Sequence, residues 1–142
     1  MNIQQAGFAD AAFDRCIEIR LEVFVGEQNV PLEEERDEYD ATALHFLATE
    51  GDAALATARV ILKNNGATAK IGRVAVLKPA RGRGIGAALI RHIENDVPAT
   101  EYLLDAQSHA LAFYERLGYV AYGDEFMDAG IPHFHMRKTA SV

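Results

Sequence analysis

The order of strand-like and helix-like runs is the feature of this sequence that most constrains the fold. Three strand-like runs, residues 43–49, 53–62 and 68–77, follow one another with only short turns between them. Strands joined by short turns pair antiparallel. Beyond residue 77 the pattern changes to helix, strand and helix, which is typical of parallel crossover units. The sequence therefore predicts an α/β protein whose mixed sheet, flanked by helices, is antiparallel in its N-terminal part and βαβ-like beyond it.

Apolar residues at spacings of three and four define three helices. The first is capped by Asp10 and buries Phe13, Ile17, Leu21 and Phe24. The second runs from Ile85 to just before Pro98, and the third begins at Ser108 and ends at Gly118. Short strands are predicted at residues 102–106, 119–122 and 132–138. No repeat or flexible linker interrupts the 142 residues, so we expect a single domain over residues 1–142.

Composition excludes several classes of protein. A formal charge of −7 opposes binding to nucleic-acid phosphates, and no apolar run is long enough to cross a membrane. The single cysteine, Cys16, forms no internal disulfide and sits beside the apolar stripe of the first helix, which argues against a nucleophile. We expect a cytoplasmic protein with no nucleic-acid or membrane partner.

Charge is segregated along the chain. Residues 27–40 contain seven acids and one base, whereas residues 70–83 contain five bases and no acid. An anionic ligand is favoured beside the second segment and a cationic one beside the first, unless both segments are only solvated surfaces.

The segment Arg81-Gly82-Arg83-Gly84-Ile85-Gly86-Ala87, here called the donor loop, lies between a predicted strand and a predicted helix. Glycines let a ligand approach the backbone, and the amides of a helix's first turn have no acceptor within the helix. With the helix dipole and two arginines, this arrangement favours a phosphate or pyrophosphate. The segment lacks the Gly-Lys-Ser/Thr ending of a P-loop, and it does not have the glycine spacing of a dinucleotide fingerprint.

Two motifs resemble the GNAT acyltransferase superfamily. Arg81, Gly84 and Gly86 match its signature Arg/Gln-x-x-Gly-x-Gly/Ala, and residues 112–119, Ala-Phe-Tyr-Glu-Arg-Leu-Gly-Tyr, resemble its second signature. Further segments are similar to the ElaA-like subgroup, namely residues 20–28, the stretch 35–40 with His45, and residues 130–133. One position differs, because Gln107-Ser108-His109 stands where many members have an asparagine.

The resemblance implies an acyl-CoA N-acyltransferase fold with acetyl-CoA as donor. The residues it implies for donor binding are Val74, Ala75 and Val76 along the pantetheine arm, Arg81, Gly82, Arg83, Gly84, Ile85, Gly86 and Ala87 at the pyrophosphate, and Phe113 in the second motif. The expected reaction moves an acyl group directly to a primary amine of a small molecule or protein. The acidic run 33–40 favours a cationic acceptor.

Direct transfer to an amine needs a proton donor for the sulfur and a proton acceptor for the amine. The resemblance makes Tyr114 the acid, although its spacing also fits a core tyrosine. Glu27 and His133 are the leading bases, with His45 as a further alternative and a purely structural role open for each. His133 and His135 share a strand face, but no third ligand of recognisable spacing accompanies them, so no metal is predicted.

Three alternatives stay open at this stage. The chain is also consistent with a non-catalytic CoA-binding sensor or regulatory protein that kept the donor site. Arg20, Phe24 and residues 35–40 faintly resemble acyl-homoserine-lactone synthases. The third alternative is a plain interaction domain, which predicts no CoA binding. A homodimer is a separate expectation for the assembly, because acceptor pockets in this superfamily sometimes include a neighbouring subunit.

Overall fold

A computed structural model describes residues 1–140 as a seven-stranded sheet with helices on both faces. The strands, in chain order, are β1 Asn2–Ala6, β2 Leu44–Glu50, β3 Ala53–Lys63, β4 Thr68–Val76, β5 Glu101–Gln107, β6 Val120–Asp128 and β7 Ile131–Thr139. The helices are α1 Ala11–Arg20, α2 Leu32–Glu35, α3 Ile85–Asp96 and α4 Leu111–Arg116.

The sheet has the order β1-β2-β3-β4-β5-β7-β6. Every neighbouring pair is antiparallel except β4 and β5, which α3 connects as a parallel crossover. This confirms the predicted mixed sheet, antiparallel first and βαβ-like beyond. Within residues 1–140 no helix is both long enough and apolar enough to span a membrane.

Two apolar clusters, one on each face, hold the helices to the sheet. The larger contains the buried side of α3 (Ile85, Leu89, Ile90, Ile93) together with Leu104, Tyr114 and Met136. We call its side of the sheet the α3/α4 face. The smaller cluster joins Cys16 and Ile19 of α1 to Leu47 and Ala75, and we call its side the α1 face.

The first helix departs from its predicted form after Arg20. The chain continues as a π-helical segment over Leu21–Glu27, which widens the turn and leaves Val23 as its buried residue. Asp10 occupies the N-cap position, but its Oδ2 accepts from the Gly7 amide (2.9 Å) instead of capping α1.

Three further predictions need correction. β1 was missed, β6 extends to Asp128 instead of ending at Tyr122, and the helix predicted from Ser108 begins with a 3-10 turn, so that α4 starts at Leu111. Gly123, with φ +74°, lies within the register shift that allows β6 to continue past Tyr122.

Candidate active site

The sheet opens where β4 and β5 separate. Their parallel pairing covers only four residue pairs and ends at Ile71 opposite Leu104. We call this point the fork. Beyond it, β4 stays paired with β3 and β5 stays paired with β7, so a cleft of about 630 Å³ forms between the two strands. This volume lies within the range of small-molecule sites, roughly 300–1,000 Å³.

A bulge at Arg73 accompanies the separation. Between the pairs Arg59–Gly72 and Thr57–Ala75, β4 contains one more residue than β3. Arg73 has φ +51°, a left-handed conformation that non-glycine residues seldom adopt. Its Nε and Nη2 donate to the Glu35 carbonyl at 3.1 and 2.9 Å, which fixes the guanidinium at the cleft wall.

Arg73 belongs to a cluster of three arginines and three carboxylates. Arg20 donates to Glu35 (2.6 Å) and Asp40 (2.8 Å), and Arg59 donates to Asp40 (3.1 Å). Asp37 contacts both Arg59 (2.6 Å) and Arg73 (3.4 Å). Because the cluster is neutral in sum, three acids of the acidic run are already matched by cations.

The donor loop has the backbone that its glycines predict. Gly82 and Gly84 have φ +79° and +76°, where an L side chain is strained. Gly84 is also the N-cap of α3. Its carbonyl accepts the first hydrogen bond of the helix, from the amide of Ala88 (3.0 Å). The amides of Ile85, Gly86 and Ala87 therefore precede the first helical hydrogen bond and are available to an anion.

Gly86 permits a close contact between the helix and its neighbours. A Cβ added at Gly86 would lie 3.2 Å from Cζ of Phe113 and 3.7 Å from Cγ2 of Val76. Phe113 therefore lies against the first turn of α3, and a side chain at Gly86 would require the Phe113 ring to shift by a few tenths of an ångström.

Both arginines of the donor loop form ion pairs. Arg81 donates to Glu27, with its Nη2 2.8 Å from Oε1, and its Nε donates to the Val76 carbonyl (2.9 Å). Arg83 pairs with Glu50 (2.7 Å), and both of those side chains are about half exposed. Glu27 thus lies at the donor loop.

Tyr114 lies on the α3/α4 face and lines the cleft. Its side chain packs edge-on against Phe113 and Tyr119. Burial raises the pKa of Tyr114 to about 12, so the phenol is fully protonated at neutral pH. A buried neutral hydroxyl beside the cleft can donate a hydrogen bond but does not lose its proton spontaneously.

The two predicted histidines have different surroundings. The Nδ1 of His133 lies 2.6 Å from the Ile131 carbonyl, which can only accept, so Nδ1 carries the proton and Nε2 is left as the acceptor. His133 also lines the cleft. His45 is 1% exposed, donates from Nε2 to the Asp40 carbonyl (2.8 Å), and does not line the cleft; burial lowers its pKa.

Sequence reasoning missed two polar residues of β5 that line the cleft, Asp105 and Gln107. Gln107 donates to Gln28 (2.8 Å) and so links the end of β5 to the end of the π-helical segment. One signal in the sequence pointed to them. Asp105 and Gln107 alternate with the apolar Leu104 and Ala106, so they lie on the opposite side of the strand from those two residues.

Comparison with known proteins decides the family. The sequence model of the protein family described as the acetyltransferase (GNAT) domain matches residues 5–140. The chain belongs to the GNAT acetyltransferase family. Its relatives include YjcF of Bacillus subtilis, described as an uncharacterized N-acetyltransferase, which is 39% identical over 124 residues (84% of this chain, 87% of that protein).

Solved structures of other GNAT proteins share the fold. An acyl-CoA N-acyltransferase from Pseudomonas aeruginosa is 30% identical, with a TM-score of 0.83 over 97% of this chain and 99% of that one. Escherichia coli ElaA is 26% identical, with a TM-score of 0.82 over 96% and 98% of the two chains. The resemblance to the GNAT superfamily and to the ElaA-like subgroup is confirmed, and the family supports acyl transfer that depends on acyl-CoA.

Proposed function

We propose that this chain is a single-domain cytoplasmic enzyme that transfers an acetyl group from acetyl-CoA to a primary amine of a small molecule or a protein. The observation that carries the proposal is the cleft at the fork, which is lined by Arg81 of the donor loop, by Tyr114, and by Val76, whose side chain lies against Gly86 in the first turn of α3.

The donor is held by main-chain groups in this proposal. The edge of β4 from Val74 to Val76 faces the cleft without β5 beside it, so the amide-bearing pantetheine arm can pair there as an added strand. The amides of Ile85 to Ala87 take the pyrophosphate. Since Arg81 donates to the Val76 carbonyl and to Glu27, donor binding must compete with these two contacts.

Tyr114 supplies the hydrogen bond to the departing sulfur. The amine nitrogen attacks the thioester carbonyl carbon and loses a proton to a base, and the C–S bond breaks with its electron pair on sulfur. The sulfur leaves as a thiolate that accepts the Tyr114 hydrogen bond, and it takes its proton from solvent. A phenol with a pKa of about 12 is a weaker acid than a free thiol, about 8.5. Tyr114, a buried residue, therefore acts by stabilising the negative charge on sulfur with a hydrogen bond.

The attacking amine also needs a base to take its proton. Both bases predicted from the sequence line the cleft, but Glu27 is held in an ion pair by Arg81, whereas His133 presents a free Nε2. Both assignments stay predictions, and the contacts favour an imidazole over Glu27.

The acceptor is proposed to be cationic because of two carboxylates at the cleft, and not because of the acidic run as a whole. Glu35, Asp37 and Asp40 are matched by arginines, so they add little attraction. Glu34 and Asp128 also line the cleft, and within residues 1–140 neither forms an ion pair. These two carboxylates are the ones that a protonated polyamine or amino sugar would meet.

Calorimetry with CoA and a thiol-release assay with acetyl-CoA test the proposal. The assay uses a fixed panel of amines: spermidine, tyramine, kanamycin and a lysine-containing peptide. We expect CoA binding and turnover with at least one amine, and a loss of about 100-fold in kcat for Tyr114→Phe with unchanged CoA affinity. CoA binding without turnover across the panel would indicate a CoA sensor instead, and no binding at millimolar CoA would refute the donor site.

A further inference from the structure

The register of β5 and β7 places a second imidazole beside the fork. Leu104 pairs with Met136, and both are buried under α3 and α4. Since side chains alternate along a strand, the next pair, Asp105 with His135, faces the opposite side, the α1 face. Asp105 is the first residue of β5 beyond the last pair with β4, and it lines the cleft.

Asp105 and His135 form a hydrogen-bonded carboxylate–imidazole pair. The Nδ1 of His135 lies 2.6 Å from Oδ1 of Asp105, and the other carboxylate oxygen lies 3.3 Å from Nζ of Lys70. Because an ionised carboxylate can only accept, Nδ1 carries the proton and Nε2 of His135 is left with its lone pair. The carboxylate also stabilises the imidazolium that forms when Nε2 takes a proton.

Two aromatic rings fix the orientation of His135. Phe126 stacks on the imidazole with centroids 4.3 Å apart, and Tyr122 stacks at 5.6 Å. The side chain of His135 is 44% exposed, so a proton on Nε2 can pass to water. An imidazole held by a carboxylate and two rings is arranged for proton transfer more than for packing.

His133 lacks the carboxylate. It lies on the same strand face and stacks on the same Phe126 (5.7 Å), but its Nδ1 donates to a neutral carbonyl, and the residue is only 8% exposed. A carbonyl stabilises an imidazolium less than a carboxylate does. The two histidines therefore differ mainly in the partner of Nδ1, which makes them a matched pair for experiment.

We propose that His135 is the general base of the acyl transfer and that Asp105 is its positioning residue. Asp105 and His133 line the cleft whereas His135 lies directly behind them, so the amine proton reaches Nε2 of His135 through a water. This inference rests on the proposed N-acyltransferase function. Tyr114 on the α3/α4 face then stabilises the departing sulfur, and His135 on the α1 face takes the amine proton, from opposite sides of the fork. The charged and titratable groups around the His135 ring are Asp105 on β5, Lys70 on β4, Tyr122 on β6, and His133 and Arg137 on β7.

The test is the pH dependence of kcat/KM for the amine that the wild-type protein acetylates fastest among the four named above. We expect His135→Gln to lower kcat/KM by about 100-fold and to remove the acid limb of the profile. His133→Gln should keep the acid limb at its wild-type position. Asp105→Asn should move that limb to lower pH, because the imidazolium loses its anion, and Lys70→Met should move it to higher pH, because a repelling cation is removed.

The opposite shifts at Asp105 and Lys70 separate a proton-transfer role from a structural one, since a loss of packing would not change sign between them. His135 is partly exposed, so His135→Gln should fold, and thermal melting checks each variant. An acid limb that persists in His135→Gln, whether or not it disappears in His133→Gln, overturns this inference and leaves the acyltransferase standing. CoA binding without turnover by the wild-type protein overturns the acyltransferase and this inference together.

Discussion

Replacing Gly84 by alanine separates the backbone geometry of the donor loop from the space around it. Gly84 has φ +76°, and a Cβ added there meets no atom within 4 Å. The substitution therefore creates no clash and costs only the left-handed conformation, roughly 1–2 kcal/mol. Alanine also lowers the conformational entropy of the unfolded chain, which stabilises the folded state by about 0.4–1 kcal/mol. The expected net loss is about 1 kcal/mol.

Gly66 provides the matched control. It has φ +87° and equally open space, but it lies in the turn between β3 and β4, at the opposite end of β4 from the donor loop. Gly84→Ala and Gly66→Ala should each lower the melting temperature by about 3 °C. Only Gly84→Ala should weaken CoA binding. If the free loop relaxes out of the left-handed conformation and CoA must restore it at a cost of about 1.4 kcal/mol, the affinity falls by about tenfold. Equal CoA affinity in the two variants, measured by calorimetry, would refute the role of the loop backbone in holding the donor.

Two further predictions concern ion pairs. Glu27→Gln releases Arg81 from its partner and should tighten CoA binding by up to about fivefold at low salt. Glu50→Gln frees Arg83 from a more exposed pair and should change CoA affinity less. Weaker CoA binding by Glu27→Gln would contradict the competition between the ion pair and the donor. Burial opposes ionisation of Asp40, but hydrogen bonds from Arg20 outweigh it and lower the pKa of Asp40 to about 2 from 3.8. Ionised Asp40 therefore contributes roughly 2 kcal/mol to the free energy of unfolding above pH 3.8, and this contribution is lost as the pH falls toward 2. Urea unfolding between pH 2 and 5 measures the slope, which should be smaller in Asp40→Asn.

The parts of the fold that the sequence predicted are those set by local pattern. The apolar stripe of α3, the glycines before it and the turns of the meander each act over a few residues, and they define the donor loop closely. β1 escaped prediction because Asn2-Ile3-Gln4-Gln5 is a mostly exposed edge strand without apolar alternation. Its pairing with β2 comes from tertiary structure.

The interior of the site depended on long-range placement. The left-handed Arg73 has no local signature, because sequence patterns reserve that conformation for glycine or asparagine. The pairing of Asp105 with His135 requires β7 to lie between β5 and β6, an order that strand periodicity does not determine. Glu27 and His133 looked equivalent as bases in the sequence and both line the cleft, but Glu27 is paired with Arg81 whereas His133 is held by a main-chain carbonyl.

The short parallel pairing at the fork leaves β4 and β5 with main-chain edges that face each other across the cleft. Around it, the larger apolar cluster, the Lys70–Asp105 ion pair and the Gln28–Gln107 hydrogen bond hold the two parts of the sheet together. A ligand lying between the two strands therefore meets main-chain hydrogen-bonding groups on both sides, at a separation that the packed core fixes.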